Sequence, residues 1–148
     1  MNTVVELLIL LLGLLVVATP FVLVARLRRS WRYRLAIGIA LFTALFVTWV
    51  NLAVGIVGGP EHPANLPYFA IIALAFLPAL AVRRDSRKLA MIFFLAALAQ
   101  AALAAATWFT DPGAPVTPRV SLLLFNGMLL AGWLAAATLF HTDREMPA

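Results

Sequence analysis

Five long apolar runs, separated by short polar segments, constrain this chain more than any other feature of its sequence. About 17–25 apolar residues are enough for a helix to cross the hydrocarbon core of a bilayer. Lipid offers no hydrogen-bond partner to free backbone groups, so such runs fold as helices, which pair these groups internally. We therefore predict an all-α membrane helix bundle with five transmembrane helices, at about residues 3–25, 35–57, 66–82, 89–109 and 119–141.

The composition supports this class and excludes several others. Of the 148 residues, 64% are apolar and 11% are charged, whereas soluble domains are about half apolar and a quarter charged. The chain has no cysteine, which excludes disulfide scaffolds, thiolate metal sites and cysteine nucleophiles. We treat residues 1–148 as a single transmembrane domain, in which an added N-terminal span and a basic loop, 1–34, precede a four-helix core, 35–141.

Basic residues gather in two of the four connecting segments. Nine of the eleven lie there: Arg26, Arg28, Arg29, Arg32, Arg34, Arg83, Arg84, Arg87 and Lys88. Arg144 in the tail falls on the same predicted side of the membrane, and Arg119 falls on the other. The positive-inside rule then predicts an outside N-terminus and an inside C-terminus. We expect the nine residues to contact anionic lipid headgroups at the inner face, and we expect no nucleic-acid partner.

Small and polar residues at helical spacing predict which helix faces meet, because helices in lipid associate through such residues. Spans two, four and five each carry one such face. The three sets are Ala40, Ala44, Thr48, Asn51, Gly55 and Gly58; Ala96, Gln100, Ala104 and Thr107; and Gly127, Ala131, Ala135 and Thr138. Span one is rich in Leu and Val and is expected at the periphery of the bundle.

Aromatic residues near the ends of the spans predict the two membrane interfaces, since amphipathic rings favour that depth. Trp31 and Tyr33 are expected at the inner interface, and Trp49, Tyr68 and Trp108 at the outer one.

Three amide side chains, Asn51, Gln100 and Asn126, are the strongest polar groups inside the predicted spans. Asn51 and Asn126 have similar predicted depths and could hydrogen-bond to each other. Two interpretations are open: a polar path for a solute or ion, or hydrogen bonds that join helices. No ionisable residue lies deep in any predicted span, which argues against a proton-coupled carrier.

The predicted outer loop between spans two and three contains three polar side chains that could bind or react, namely Glu61, His62 and Asn65. Glu61 and His62 could serve a metal or an acid–base reaction on an outer-face lipid. However, they fall short of the three protein ligands that a catalytic zinc ion normally has. The favoured interpretation is a tight turn with Asn65 capping the next helix. We expect no catalytic residue, no metal and no cofactor, and predict that the protein is not an enzyme.

Segments 50–58, Val-Asn-Leu-Ala-Val-Gly-Ile-Val-Gly, and 62–66, His-Pro-Ala-Asn-Leu, precede a basic loop and the tetrapeptide Ala-Leu-Ala-Gln at 97–100. This pattern resembles a group of small, uncharacterised bacterial multi-pass membrane proteins with Asn-x-Ala-Val-Gly-Ile-x-Gly and Pro-Ala-Asn-Leu motifs. The resemblance covers about residues 35–110. It implies a four-helix core in the bacterial inner membrane and implies no activity.

These features together favour a non-enzymatic structural or accessory subunit. We expect it to associate with copies of itself or with a partner membrane complex. The alternative is a small transporter or channel subunit with a polar path through Asn51, Gln100 and Asn126.

Overall fold

The computed structural model describes residues 3–27 and 30–143, and these form five α-helices and one short 3-10 turn, with no strand among them. The helices are α1 (Thr3–Leu27), α2 (Trp31–Ala53), α3 (Leu66–Ala81), α4 (Ser86–Thr110) and α5 (Arg119–Asp143), and the 3-10 turn is Pro63–Asn65. The predicted all-α class is confirmed.

Four helical stretches are long and apolar enough to cross a membrane: Trp31–Ala53, Pro63–Ala81, Ser86–Thr110 and Arg119–Asp143. In α1 the corresponding apolar stretch, Leu11–Leu27, is shorter. By length and composition these four helices are compatible with a multi-pass membrane protein. The crossing of the membrane by α1 stays a prediction.

The four longer stretches form the core of the bundle. Helix α5 packs between α2 and α4, and α4 also packs against α3. Helix α1 lies outside this core and touches α2 and α3. The buried side chains among those described for α1 are Phe21, Val24 and Ala25, in its C-terminal part. Large apolar residues of its N-terminal part are exposed, which agrees with the peripheral position predicted for span one; they are Val4, Leu8, Leu11, Leu12, Leu15 and Val16.

Small residues allow close packing on α2 and α4, as predicted. Ala40, Ala44 and Ala96 are fully or almost fully buried. Helices α2 and α5 approach closely at Gly132, where an added Cβ atom would lie 2.4 Å from the Thr43 Oγ1 atom. Only a glycine leaves room for the threonine side chain at this crossing.

The predicted packing face of α5 is wrong. Gly127, Ala131 and Thr138 are exposed, and Ala135 is half-buried. The buried face carries larger side chains instead: Leu122, Asn126, Leu129, Trp133, Ala136, Ala137 and Phe140. The small residues of α2 and α4 already provide space, and large α5 side chains fill it to the density that protein interiors require.

Six aromatic side chains form a continuous cluster that takes at least one member from each of the five helices. They are Phe21, Tyr33, Phe76, Phe93, Trp133 and Phe140. Phe93 is central, stacked on Trp133 at a centroid distance of 6.0 Å and on Phe140 at 5.5 Å. Offset and edge-to-face aromatic pairs stabilise a fold beyond the area they bury. This cluster therefore links all five helices through apolar contacts.

The structure corrects the ends of the second span. Helix α2 begins at Trp31, after the N-cap Ser30, and ends at Ala53. Its predicted bounds were 35 and 57. Gly55 has a φ of +72°, a left-handed conformation that ends the helix and reverses the chain. Gly55 and Gly58 consequently lie in a loop and do not extend the small-residue face of α2.

Candidate functional site

A chain of three buried polar side chains joins α3, α4 and α5. The Gln100 Nε2 atom donates to the Asn126 Oδ1 atom at 2.7 Å. The Asn126 Nδ2 atom donates to the Tyr68 hydroxyl oxygen at 3.0 Å and to the Leu122 carbonyl at 2.7 Å. All three side chains are at most 1% exposed. Asn126 thus uses both ends of its amide to hold two neighbouring helices.

Asn51 does not belong to this chain, so the predicted Asn51–Asn126 hydrogen bond does not form. Its Oδ1 atom accepts from the Ile56 backbone amide at 3.4 Å. Its Nδ2 atom is buried and has no hydrogen-bond partner within the described ranges. The reason is that α2 ends early, at Ala53. The chain then reverses and brings the Ile56 amide to the side-chain oxygen of Asn51. Among the three amides, a hydrogen bond therefore joins Gln100 to Asn126, and none within the described residues joins Asn51 to either of them.

Two tyrosines that were predicted at the membrane interfaces are in the interior. Tyr68 is 1% exposed and Tyr33 is fully buried. The Tyr33 hydroxyl donates to the Arg83 carbonyl at 2.5 Å, which joins the start of α2 to the α3–α4 turn. Trp31, Trp49 and Trp108 are exposed, as an interface position requires. The sequence contains no signal that separates the two groups, since both lie near span ends.

We expect Asn126→Leu to lower the free energy of unfolding by about 1–3 kcal/mol. It removes two interhelical hydrogen bonds, each worth about 0.6 kcal/mol on average in membranes and up to about 1.7 kcal/mol. The measurement is detergent-induced unfolding in mixed micelles. Thr138→Val on the same helix is the control, because the Thr138 hydroxyl bonds only the Leu134 carbonyl of its own helix and is exposed. Equal stability of the two variants would contradict a structural role for the Asn126 amide.

Asn65 organises the loop between α2 and α3 by a means that the sequence did not indicate. It occupies the N-cap position of α3, but its side chain makes no cap hydrogen bond to that helix. Its Oδ1 atom accepts from the Val57 amide at 2.9 Å, and its Nδ2 atom donates to the Val57 and Gly59 carbonyls at 3.2 and 2.6 Å. The predicted capping of α3 is replaced by these bonds, because the reversing loop brings its own backbone groups to the amide.

The structure does not bring Glu61 and His62 together with further metal-ligating side chains among the described residues. Glu61 is exposed, and the His62 Nδ1 atom accepts from the Ala64 amide at 3.2 Å, which caps the 3-10 turn. Residues 3–27 and 30–143 contain no group of three or more His, Cys, Asp or Glu residues placed to hold a metal ion. The histidine thus has a local structural task in the loop.

The two loops at this end of the bundle contact each other. The Gly58 amide donates to the Thr117 Oγ1 atom at 3.0 Å. Within the second loop, the Arg119 Nε atom lies 2.8 Å from the Asp111 Oδ2 atom. Asp111 ends α4 in a left-handed conformation with a φ of 48°, which Asp tolerates better than most residues. We name this end of the bundle the loop end.

At the opposite end, which we name the basic end, arginines bind the carboxyl termini of three helices. The Arg34 Nε atom donates to the Ala25 carbonyl of α1 at 3.0 Å. Arg32 donates to the Thr142 carbonyl of α5 at 3.1 Å, and Arg83 to the Leu80 carbonyl of α3 at 2.7 Å. Helix C-termini carry unpaired carbonyls and a partial negative charge, so guanidinium groups stabilise them. These three arginines have a structural role in addition to the predicted lipid contacts.

The other predicted lipid-binding residues differ in their surroundings. Arg26, Arg84, Arg87 and Lys88 are exposed, while Arg28 and Arg29 lie outside the described residues. Asp85 caps α4 by accepting from the Lys88 and Arg87 backbone amides at 3.2 and 3.0 Å. These bonds, that of Lys88 first, hold the pKa of the Asp85 carboxyl below its usual range.

Comparisons with protein families, with curated proteins and with solved structures found no match for this chain. The resemblance to a group of small bacterial membrane proteins consequently stays a prediction.

Proposed function

We propose that this protein is a non-catalytic structural subunit of the bacterial inner membrane that associates with copies of itself through α1. In this proposal it has five membrane spans, an outside N-terminus and an inside C-terminus. The basic end supports the orientation. Among the described residues it carries Arg26, Arg32, Arg34, Arg83, Arg84, Arg87 and Lys88, whereas the loop end carries Arg119. A 25-residue helix such as α1 is about 37 Å long, which exceeds the roughly 30 Å of a hydrocarbon core.

The pairing of the core polar groups supports a structural role. Gln100, Asn126 and Tyr68 are at most 1% exposed and bonded to one another, so their side chains serve contacts between helices. A polar path, the alternative function, has less support because Asn51 makes no hydrogen bond to the other two amides within the described residues, and its Oδ1 atom accepts from the Ile56 amide of the adjacent loop.

The observation that carries the proposal is a heptad seam on the exposed part of α1. We define the seam as Val4, Leu8, Leu11 and Leu15, which are 49–69% exposed. Their spacing alternates between four and three residues, the pattern of helices that pack side by side as coiled coils. Among the α1 side chains that the structure describes, the buried ones lie in its C-terminal part. The seam is therefore available to the same seam of a second copy.

Cysteine cross-linking in membranes tests this association, because the chain contains no cysteine of its own. Single substitutions Val4→Cys, Leu8→Cys, Leu11→Cys and Leu15→Cys are expected to give disulfide-linked dimers on oxidation. The controls Val5→Cys, Leu12→Cys and Val16→Cys replace residues of the same helix that are 44–66% exposed but lie off the seam. We expect them to cross-link several-fold less, as judged by non-reducing electrophoresis. Equal cross-linking at all seven positions, or none at any, would overturn the proposal.

A further inference from the structure

A groove of about 450 Å³ runs between α4 and α5 near the basic end. Its wall is apolar and consists of Ala90, Met91, Phe94, Leu134 and Ala137. Its polar residues are Arg87, Thr138 and His141. Arg87 lies in the first turn of α4, and His141 lies in the last turn of α5. The groove is therefore polar at the membrane surface and apolar deeper, since Phe94 is about 10 Å further along α4 than Arg87.

Arg87 gives the groove a positive edge. Its side chain is exposed, and its guanidinium has no hydrogen-bond or ion-pair partner in the described part of the chain. Asp85, the acid nearest to it in sequence, accepts from the backbone of α4 and lies 3.6 Å from the Lys88 Nζ atom. The amino terminus of α4 is capped by the Asp85 carboxylate, and the neighbouring Ser86 hydroxyl donates to the Asp143 carboxylate of α5. Both acids thus bond other groups, and the Arg87 guanidinium supplies the positive charge at this edge of the groove.

We propose that this groove binds one anionic phospholipid, with its phosphate beside Arg87 and His141 and an acyl chain along Met91, Phe94 and Leu134. An amphiphile matches the two halves of the groove, and its volume lies within the usual range of ligand sites. A second copy of this chain in the same orientation would instead bring its own basic end to Arg87, where like charges repel. The site is on α4 and α5, away from α1, so it does not depend on the proposed self-association.

Native mass spectrometry of the full chain in mild detergent tests the site with two probes that share the same acyl chains, phosphatidylglycerol and phosphatidylcholine. We expect one phosphatidylglycerol to be retained in preference to phosphatidylcholine. Arg87→Gln should reduce this preference about fivefold, the factor expected for one basic side chain near an anionic headgroup. The matched control is Lys88→Gln, which removes the same charge from the next residue, outside the groove.

A second variant, Thr138→Phe, fills the groove without changing charge and should reduce the retention of both lipids. Thr138 is exposed, so this variant should keep the fold. Equal effects of Arg87→Gln and Lys88→Gln would overturn the proposal, because they would indicate diffuse attraction to the basic end. Unchanged lipid retention in Thr138→Phe would overturn it as well. So would a dimer that retains no lipid and is lost in Thr138→Phe, since a second copy would then occupy the groove.

Discussion

Replacing Gly55 by alanine is expected to destabilise the protein by about 3 kcal/mol or more. A left-handed conformation costs an L-residue about 1–2 kcal/mol, and Gly55 has a φ of +72°. In addition, the new Cβ atom would lie 2.1 Å from the Gly59 carbonyl carbon. This contact is with backbone, so the loop has to move, and the bonds of Asn51 and Asn65 to that loop are lost with it.

Thermal unfolding in detergent, followed by tryptophan fluorescence, measures this effect. Gly127→Ala is the control, because Gly127 lies within α5 and a Cβ atom there would meet nothing within 4 Å. In a helix alanine is more stable than glycine by roughly 0.5–1 kcal/mol, so this variant should be as stable as the natural chain or more stable. Similar melting temperatures for Gly55→Ala and Gly127→Ala would show that the loop does not contribute to the fold.

Truncation of Trp133 to alanine should have an effect of similar size, about 3–5 kcal/mol. Trp133 is fully buried and contacts Phe76 and Phe93 with ring centroids 6.3 and 6.0 Å away. In lipid the loss comes mainly from van der Waals contacts, since the bilayer is as apolar as the core. The resulting cavity would remove the ring contacts of α5 with Phe76 of α3 and Phe93 of α4.

The conservative variant Trp133→Phe distinguishes packing from hydrogen bonding. The Trp133 Nε1 atom is buried without a hydrogen-bond partner among the described residues. Phenylalanine removes this unpaired donor, whose burial has a cost, and keeps an aromatic ring in the cluster. We expect a small net change in the free energy of unfolding. A loss as large as that of Trp133→Ala would mean that the indole has a partner that the aromatic packing does not explain.

The end of α2 could not be predicted from hydropathy. The apolar run continues to about residue 57, and hydropathy alone therefore extended the helix beyond Ala53. Helical spacing predicts Gly55 on the small-residue face of α2, whereas its φ of +72° ends the helix. A glycine serves close packing and chain reversal equally well, so only the backbone conformation distinguishes them.

The buried face of α5 could not be predicted from the positions of its small residues. The rule that small residues pack in membranes selected Gly127, Ala131, Ala135 and Thr138, yet the buried face carries Trp133 and Phe140. The rule succeeded for α2 and α4. One partner in a contact supplies space and the other fills it, and a single helix sequence does not reveal which role that helix has.

By itself, the sequence determined that the chain is helical and where most of its membrane-length helices lie. Each helix in lipid pairs its own backbone groups, so apolar length is sufficient to predict it. Only the tertiary structure decided which side chains meet. Gln100 and Asn126 are 26 residues apart, and Asn126 and Tyr68 are 58 apart. Contacts over such separations depend on the rotation and crossing of whole helices, and these are settled by the joint packing of the aromatic cluster and the loops.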